Sequence, residues 1–179
     1  MSETSSEPTQ GPFVSLSSVL RLPANKFGKR LRRVVEAIDR LHRVAPVKTI
    51  DVEMTRERIV KGRYHEQGGT GEPLLIEVSQ RNETIELTFA HEVGHFLERT
   101  GLPSFKVGGR NWATDVTTKD WQASIRSSES FKRLEEIMTT EDPLGADATT
   151  GQTIRGRDLL RYLRYLQSEK ELWARSYAQ

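Results

Sequence analysis

Residues 86–98 read ELTFAHEVGHFLE, and the five in the middle, His91-Glu92-Val93-Gly94-His95, govern how the rest of the chain is read. On a helix, positions i and i+4 share one face, so at ~100° per residue the two imidazoles fall within ~40° of each other. Two neutral ring nitrogens at that spacing can take one metal ion from adjacent turns. Glu92 stands about a quarter turn to the side, where it can reach a water on such an ion without being a ligand. Ile85, Phe89, Val93, Phe96 and Leu97 fall on the opposite side and predict a core-facing stripe. Asn82 is expected to cap the helix, with Glu83 and Glu86 near its positive dipole end and Gly101 stopping it before Pro103. A metal-binding helix over 82–99 follows.

Composition limits what kind of metal site this can be. The chain of 179 residues has no cysteine, so disulfides and thiolate sites are excluded. Any ion is held by His, Asp or Glu, a donor set that suits a catalytic zinc site with an open position better than a closed structural one. The net charge is +2, from 27 basic and 25 acidic residues. No run approaches the ~20 apolar residues of a membrane span, and the polar, acidic start MSETSSEPTQGP is not a signal peptide. The expected location is the cytoplasm, or a phage-associated or exported setting reached without such a signal.

Around the central helix the chain reads as a single α+β domain over 23–179, preceded by a disordered or weakly ordered tail over 1–22. Phe13 to Leu22 is weakly apolar and compatible with a short lead-in helix or strand. Residues 25–44 predict an amphipathic helix, with Leu31, Val34, Val35, Ile38 and Leu41 on one face. Its other face is basic (Lys26, Lys29, Arg30, Arg32, Arg33, Arg40, Arg43) and reads as a solvated surface, since no aromatic residues interleave to stack on bases. A small mixed or antiparallel sheet is expected over 47–79, from VKTIDVEM, IVKGRYH and LLIEVS, the last two joined by a glycine-rich hairpin loop. The part from 120 to 179 is predicted to be helical. It comprises a helix over 120–140, a long loop over 141–156, a helix over 158–167 and a last one starting at Ser168 or Glu169. Gly108, Gly109 and Asn111 suggest a flap, and the repeated Arg-Tyr-Leu of DLLRYLRYLQ reads as helix packing. The last helix looks unfinished, so a further domain or partner is expected if the chain is a fragment.

A catalytic zinc site needs a third protein ligand and an open position for water. No histidine follows His95, and His42 and His65 read as ordinary surface or partly buried residues. Glu98 would crowd the ion from the same helix. Glu171 lies on a separate later helix, and the small Ala174 one turn on permits close helix approach. It is the favoured third ligand, with Glu135, Glu136 and Glu169 remaining open.

HEVGH followed by E-x-x-A-x-x-Y-A (Glu171, Ala174, Tyr177, Ala178) resembles the zincin metallopeptidases whose third ligand is glutamate. It is similar in particular to compact zincin-like domains of phage and prophage proteins, including those attached to head-morphogenesis proteins. The likeness to ImmA/IrrE-type peptidases is more distant. The resemblance covers roughly Lys48 to Gln179. It implies a small zincin-like fold, Zn2+ held by His91, His95 and Glu171, and a sheet edge along which substrate backbone lies. LLIEVS is placed for that edge, and the GRYH strand with Gly62 and Tyr64 fits the same plan.

The expected activity is that of a zinc metalloendopeptidase acting on a protein or peptide, either an effector or a processing protease. A zinc-activated water would attack the peptide carbonyl with Glu92 as general base. Tyr177, Tyr64 or Arg175 would stabilise the oxyanion. The alternative is a catalytically silent zincin-fold module, against which the intact Glu92 argues. Nucleic-acid binding through the basic helix would predict steep salt dependence, but no reading motif accompanies it.

Overall fold

The histidine helix lies against one face of a four-stranded sheet. The computed structural model describes residues 14–41, 44, 46–68, 70–100, 119–139, 144–146 and 153–178. Along the chain run α1 (Leu16–Val19), β1 (Leu20–Arg21), α2 (Lys26–Asp39), β2 (Ile50–Thr55), β3 (Gly62–Glu66), β4 (Pro73–Ser79) and α3 (Ile85–Thr100). After these come α4 (Lys119–Ser127), α5 (Glu129–Met138), β5 (Leu144–Ala146), β6 (Thr153–Arg155), α6 (Gly156–Leu166) and α7 (Glu169–Ser176). The class is α+β, as the sequence predicts.

The sheet is mixed, in the order β1-β2-β4-β3. β1, β2 and β4 run parallel, and β3 pairs antiparallel with β4 as the far edge. Period-two alternation turns Ile50 and Val52 of β2 and Ile76 and Val78 of β4 to the inside, where all are buried. They form one apolar cluster with Leu31, Val35 and Ile38 of α2 and the predicted stripe Ile85, Phe89, Val93, Phe96 and Leu97 of α3. Two ion pairs hold α3 from either end. Arg30 of α2 grips both carboxylate oxygens of Glu86 at 2.5 Å. Arg99 in the last turn meets Glu66 at the end of β3, at 2.7 Å from its Nε. One residue of the basic face of α2, Arg30, is therefore paired with α3.

Several boundaries differ from the sequence reading. The tail expected over 1–22 is overturned for residues 14–22. Leu16, Val19 and Leu20 are buried members of the core, and the Asp39 carboxylate accepts hydrogen bonds from the amides of Leu16 and Ser17. The short lead-in helix or strand read over Phe13 to Leu22 is met by α1 followed by β1. Residues 1–13 lie outside those described. The helix expected over 25–44 starts as read, with the Asn25 side chain accepting from the amides of Phe27 and Gly28. It stops at Asp39. Val44 bridges to Val14 instead, and Leu41, read as part of the apolar face, is 76% exposed. His42 and Arg43 lie outside the described residues.

Asn82 does not cap α3 directly. Its Oδ1 accepts from the amide of Thr84 and its Nδ2 donates to Thr88, holding the turn that precedes the helix. The single helix read over 120–140 is two, because Ser128 restarts it as an N-cap, its Oγ accepting from the Phe131 amide. The loop read over 141–156 contains the antiparallel pair β5 and β6. Gly101, Gly108, Gly109 and Asn111, with the expected flap, fall outside the described residues. α7 begins after Ser168, whose hydroxyl accepts from the Glu171 amide, and ends at Ser176 with Tyr177 as its C-cap. No helix among the described residues is long and apolar enough to cross a membrane.

The N-terminal contacts carry a direct test. Leu16→Ala is expected to lower stability by about 2–5 kcal/mol, the cost of a large-to-small change at a fully buried site. Leu41→Ala, at an exposed site, should stay within about 0.5 kcal/mol of the parent. Urea unfolding of both variants measures the contrast, and equal effects would remove Leu16 from the core.

Candidate metal centre

α3 is buried on two sides, and each side is covered by a different neighbour. Its apolar stripe packs on the sheet, while the face carrying the histidines is crossed by α7. At the crossing stands Gly94, where an added Cβ would lie 2.6 Å from the Cα of Ala174 and 2.9 Å from its carbonyl oxygen. Backbone meets backbone there, and Gly94 has no room for even a methyl. The indole of Trp173 donates to the Gly94 carbonyl oxygen at 3.1 Å and fixes the crossing further. Glu171 is one turn before Ala174 on the same helix, so this contact delivers its carboxylate to the histidines.

His91 Nε2 and His95 Nε2 are 3.2 Å apart. Glu171 Oε2 lies 3.4 Å from His91 Nε2, and Oε1 lies 3.4 Å from His95 Nε2. Donors at ~2.0–2.1 Å from one tetrahedral ion stand roughly 3.3–3.4 Å from each other. The three side chains are therefore spaced to share a single zinc-sized ion. Among the described residues this is the one such cluster of His, Cys, Asp or Glu. Glu171 Oε2 is buried without a hydrogen-bond partner. A carboxylate only 2% exposed is costly to leave uncompensated, and a cation at this point compensates it. The residues fit the ion.

Charge in the cluster is strongly coupled. Burial by itself would raise the Glu171 carboxyl, but the imidazoles of His91 and His95, each 3.4 Å away, and the Tyr165 hydroxyl outweigh it and hold the group well below the usual carboxylate range. Burial would likewise lower His95, yet the carboxylates of Glu171 and Glu98 prevail and its imidazole is pushed up to about 9. Glu92, on the same helix, is raised, chiefly by burial. The positive charge of the two histidines and the Tyr64 amide partly offset that rise. A carboxyl poised above its ordinary value suits proton transfer near neutral pH.

Glu92 also ties the helix to the sheet. Its Oε2 accepts from the backbone N–H of Tyr64 on β3 at 2.8 Å. Gly62, two residues earlier, makes room: a Cβ there would lie 2.5 Å from Thr88 Cγ2 and 3.0 Å from Glu92 Oε1. The strand beside the cluster is thus β3, which is the sheet edge. LLIEVS, expected at the edge, is β4 and is paired on both sides by β2 and β3, so its backbone has no free edge. The hairpin order accounts for this, because β3 folds outward after β2 and leaves β4 to fill the inner place.

The other candidates sit elsewhere. Glu98 is buried on the far side of His95, 3.8 Å from Nδ1 rather than Nε2, where it faces the imidazole without reaching the ion position. Glu169 pairs with Arg126, and neither it nor Glu135 or Glu136 joins the cluster. His65 meets Glu77 at 2.5 Å across the sheet. Of the groups proposed for the oxyanion, Tyr64 packs edge-on against Phe96 and Tyr177 against Trp173. Arg175 lines a groove with Phe131 and Leu172. The tyrosine that does reach the cluster is Tyr165, read from the sequence as helix packing. Its hydroxyl donates to Glu171 Oε1 at 2.5 Å. No spacing rule links residues on two different helices, so only the α6–α7 turn could bring the pair together.

Two outcomes follow. Gly94→Ala should destabilise the protein by about 1–3 kcal/mol through overpacking and weaken zinc binding, because Glu171 moves with α7. Thermal unfolding and zinc titration test both, and wild-type values would mean the crossing can relax. A proton held on His95 up to about pH 9 competes with any cation for the same imidazole. Apparent zinc affinity should therefore rise from pH 6 to 8, by on the order of tenfold per unit for one displaced proton. Calorimetry in buffers of different ionisation heat should register that proton's release, and a pH-independent affinity would show His95 already neutral.

In comparisons with known proteins, no family model, no curated protein and no solved structure matches this chain.

Proposed function

We propose that the chain is a zinc-dependent metalloendopeptidase of zincin-like fold. The observation that carries this reading is the convergence of His91, His95 and Glu171 at ion-sharing distances, beside a buried Glu92 that touches a sheet edge. A zinc ion held by those three residues would supply Lewis acidity and an acidified water. Glu92 takes the proton from the attacking water and returns it to the leaving amine nitrogen. Burial and the Tyr64 amide keep its carboxylate on the β3 side of the cluster, where substrate would lie.

A peptide added as a strand along β3 would pass beside Glu92, with main-chain hydrogen bonds supplying register. The resemblance to compact zincin-like domains of phage and prophage proteins supports a processing or effector protease. A protein or peptide is the substrate class. Nucleic acid is not part of this reading.

Zinc content and cleavage separate the roles of these residues. Wild type should carry one zinc per chain, and His95→Ala and Glu171→Ala should lose it. Glu92→Gln should keep the zinc while cleavage of a peptide library falls by roughly 10²–10⁴-fold, the usual contribution of a general base. Zinc binding without cleavage in the wild type would leave a silent zincin-like binding module in place of the peptidase.

A further inference from the structure

The two oxygens of Glu171 have unlike surroundings. Oε1 accepts the Tyr165 hydroxyl at 2.5 Å. Oε2 is buried with no hydrogen-bond partner and faces His91 Nε2. A carboxylate with both oxygens available can bind a cation through one or through both. Here Oε1, which also stands 3.4 Å from His95 Nε2, takes a hydrogen bond from another helix.

Packing does not account for the placement of Tyr165. The residue is 52% exposed, and its ring stacks on Tyr162 of the same helix rather than entering the core. Its hydroxyl nevertheless reaches a carboxylate that is almost wholly buried. The turn between α6 and α7 sets this up. The Ser168 amide donates to the Tyr165 carbonyl oxygen, and the Ser168 hydroxyl accepts from the Glu171 amide, so both ends of the contact are anchored to one residue.

We propose that Tyr165 is a positioning residue that holds the Glu171 carboxylate against the two histidines by donating to Oε1, and so favours Oε2 as the oxygen that would take the ion. His91, His95 and Glu171 would then hold the ion through three donors and leave room for water, as catalysis requires. Without the hydroxyl, Glu171 is free to offer both oxygens or to rotate away, and the open position is lost or the ligand weakened. This inference rests on the metal-site reading above.

The test uses the full chain with zinc and with cobalt(II), whose visible absorption reports coordination number. Tyr165→Phe should weaken zinc binding roughly 10- to 100-fold in competition with a chromophoric chelator, the usual effect of losing a group that orients a ligand. Its cobalt band should lose intensity as the site moves from four to five donors. Tyr162→Phe removes a hydroxyl from the same helix and should change neither readout. Tyr165→Gln, whose amide can donate in the same direction, should recover part of the affinity.

Tyr165→Phe with wild-type zinc affinity and cobalt spectrum overturns the proposal, as does an equal loss in Tyr162→Phe. A wild-type chain that takes up neither metal overturns it together with the peptidase reading. A chain that binds zinc but cleaves nothing overturns the peptidase reading alone, and the Tyr165→Phe comparison still decides this one.

Discussion

The contact of Gly94 with Ala174 is where the two halves of the site are joined. This helix pair approaches so closely that Gly94 could not carry even a methyl, and the glycine sits between the two histidines. Move α7 outward and Glu171 leaves the cluster, since it is held at this distance by backbone packing one turn away. His91 and His95 need no such help, being placed by helical spacing alone. The third ligand is therefore the part of the site most exposed to changes in packing.

Burial supplies the electrostatics. Glu92, Glu98 and Glu171 are all nearly inaccessible and gather around two histidines, an arrangement that would be unstable as isolated carboxylates. Each has a distinct answer to desolvation. Glu171 is held ionised by the imidazoles and Tyr165, and Glu98 faces the far nitrogen of His95. Glu92, with one backbone donor, is left raised and available for proton transfer. Three glutamates close in sequence or space thus take different roles because their neighbours differ.

The sheet performs two tasks with one face and one edge. Its apolar face receives Phe89, Val93 and Phe96 and sets the height of α3. Its β3 edge then meets Glu92 through the Tyr64 amide. Gly62 lets the strand come that near, so a second close approach, strand to helix, matches the first. Arg99 with Glu66 and Arg30 with Glu86 pair the two ends of the helix with β3 and α2.

Periodicity made much of this readable in advance. The α+β class, the buried stripe of α3, the start of α2 at Asn25 and the shared face of His91 and His95 follow from spacings within single segments. The nomination of Glu171 needed one step more, a separate helix with a small residue a turn away, and the cluster brings it to the two histidines. What the sequence could not determine are the relations between segments. Leu16 and Leu20 entering the core, β3 rather than β4 at the edge and Tyr165 over Glu171 all depend on which elements become neighbours. A local pattern reports the conformation of its own residues and the side they bury. The partner on that side is decided by packing across the whole chain, where the donors of Glu171 and the strand beside Glu92 are chosen.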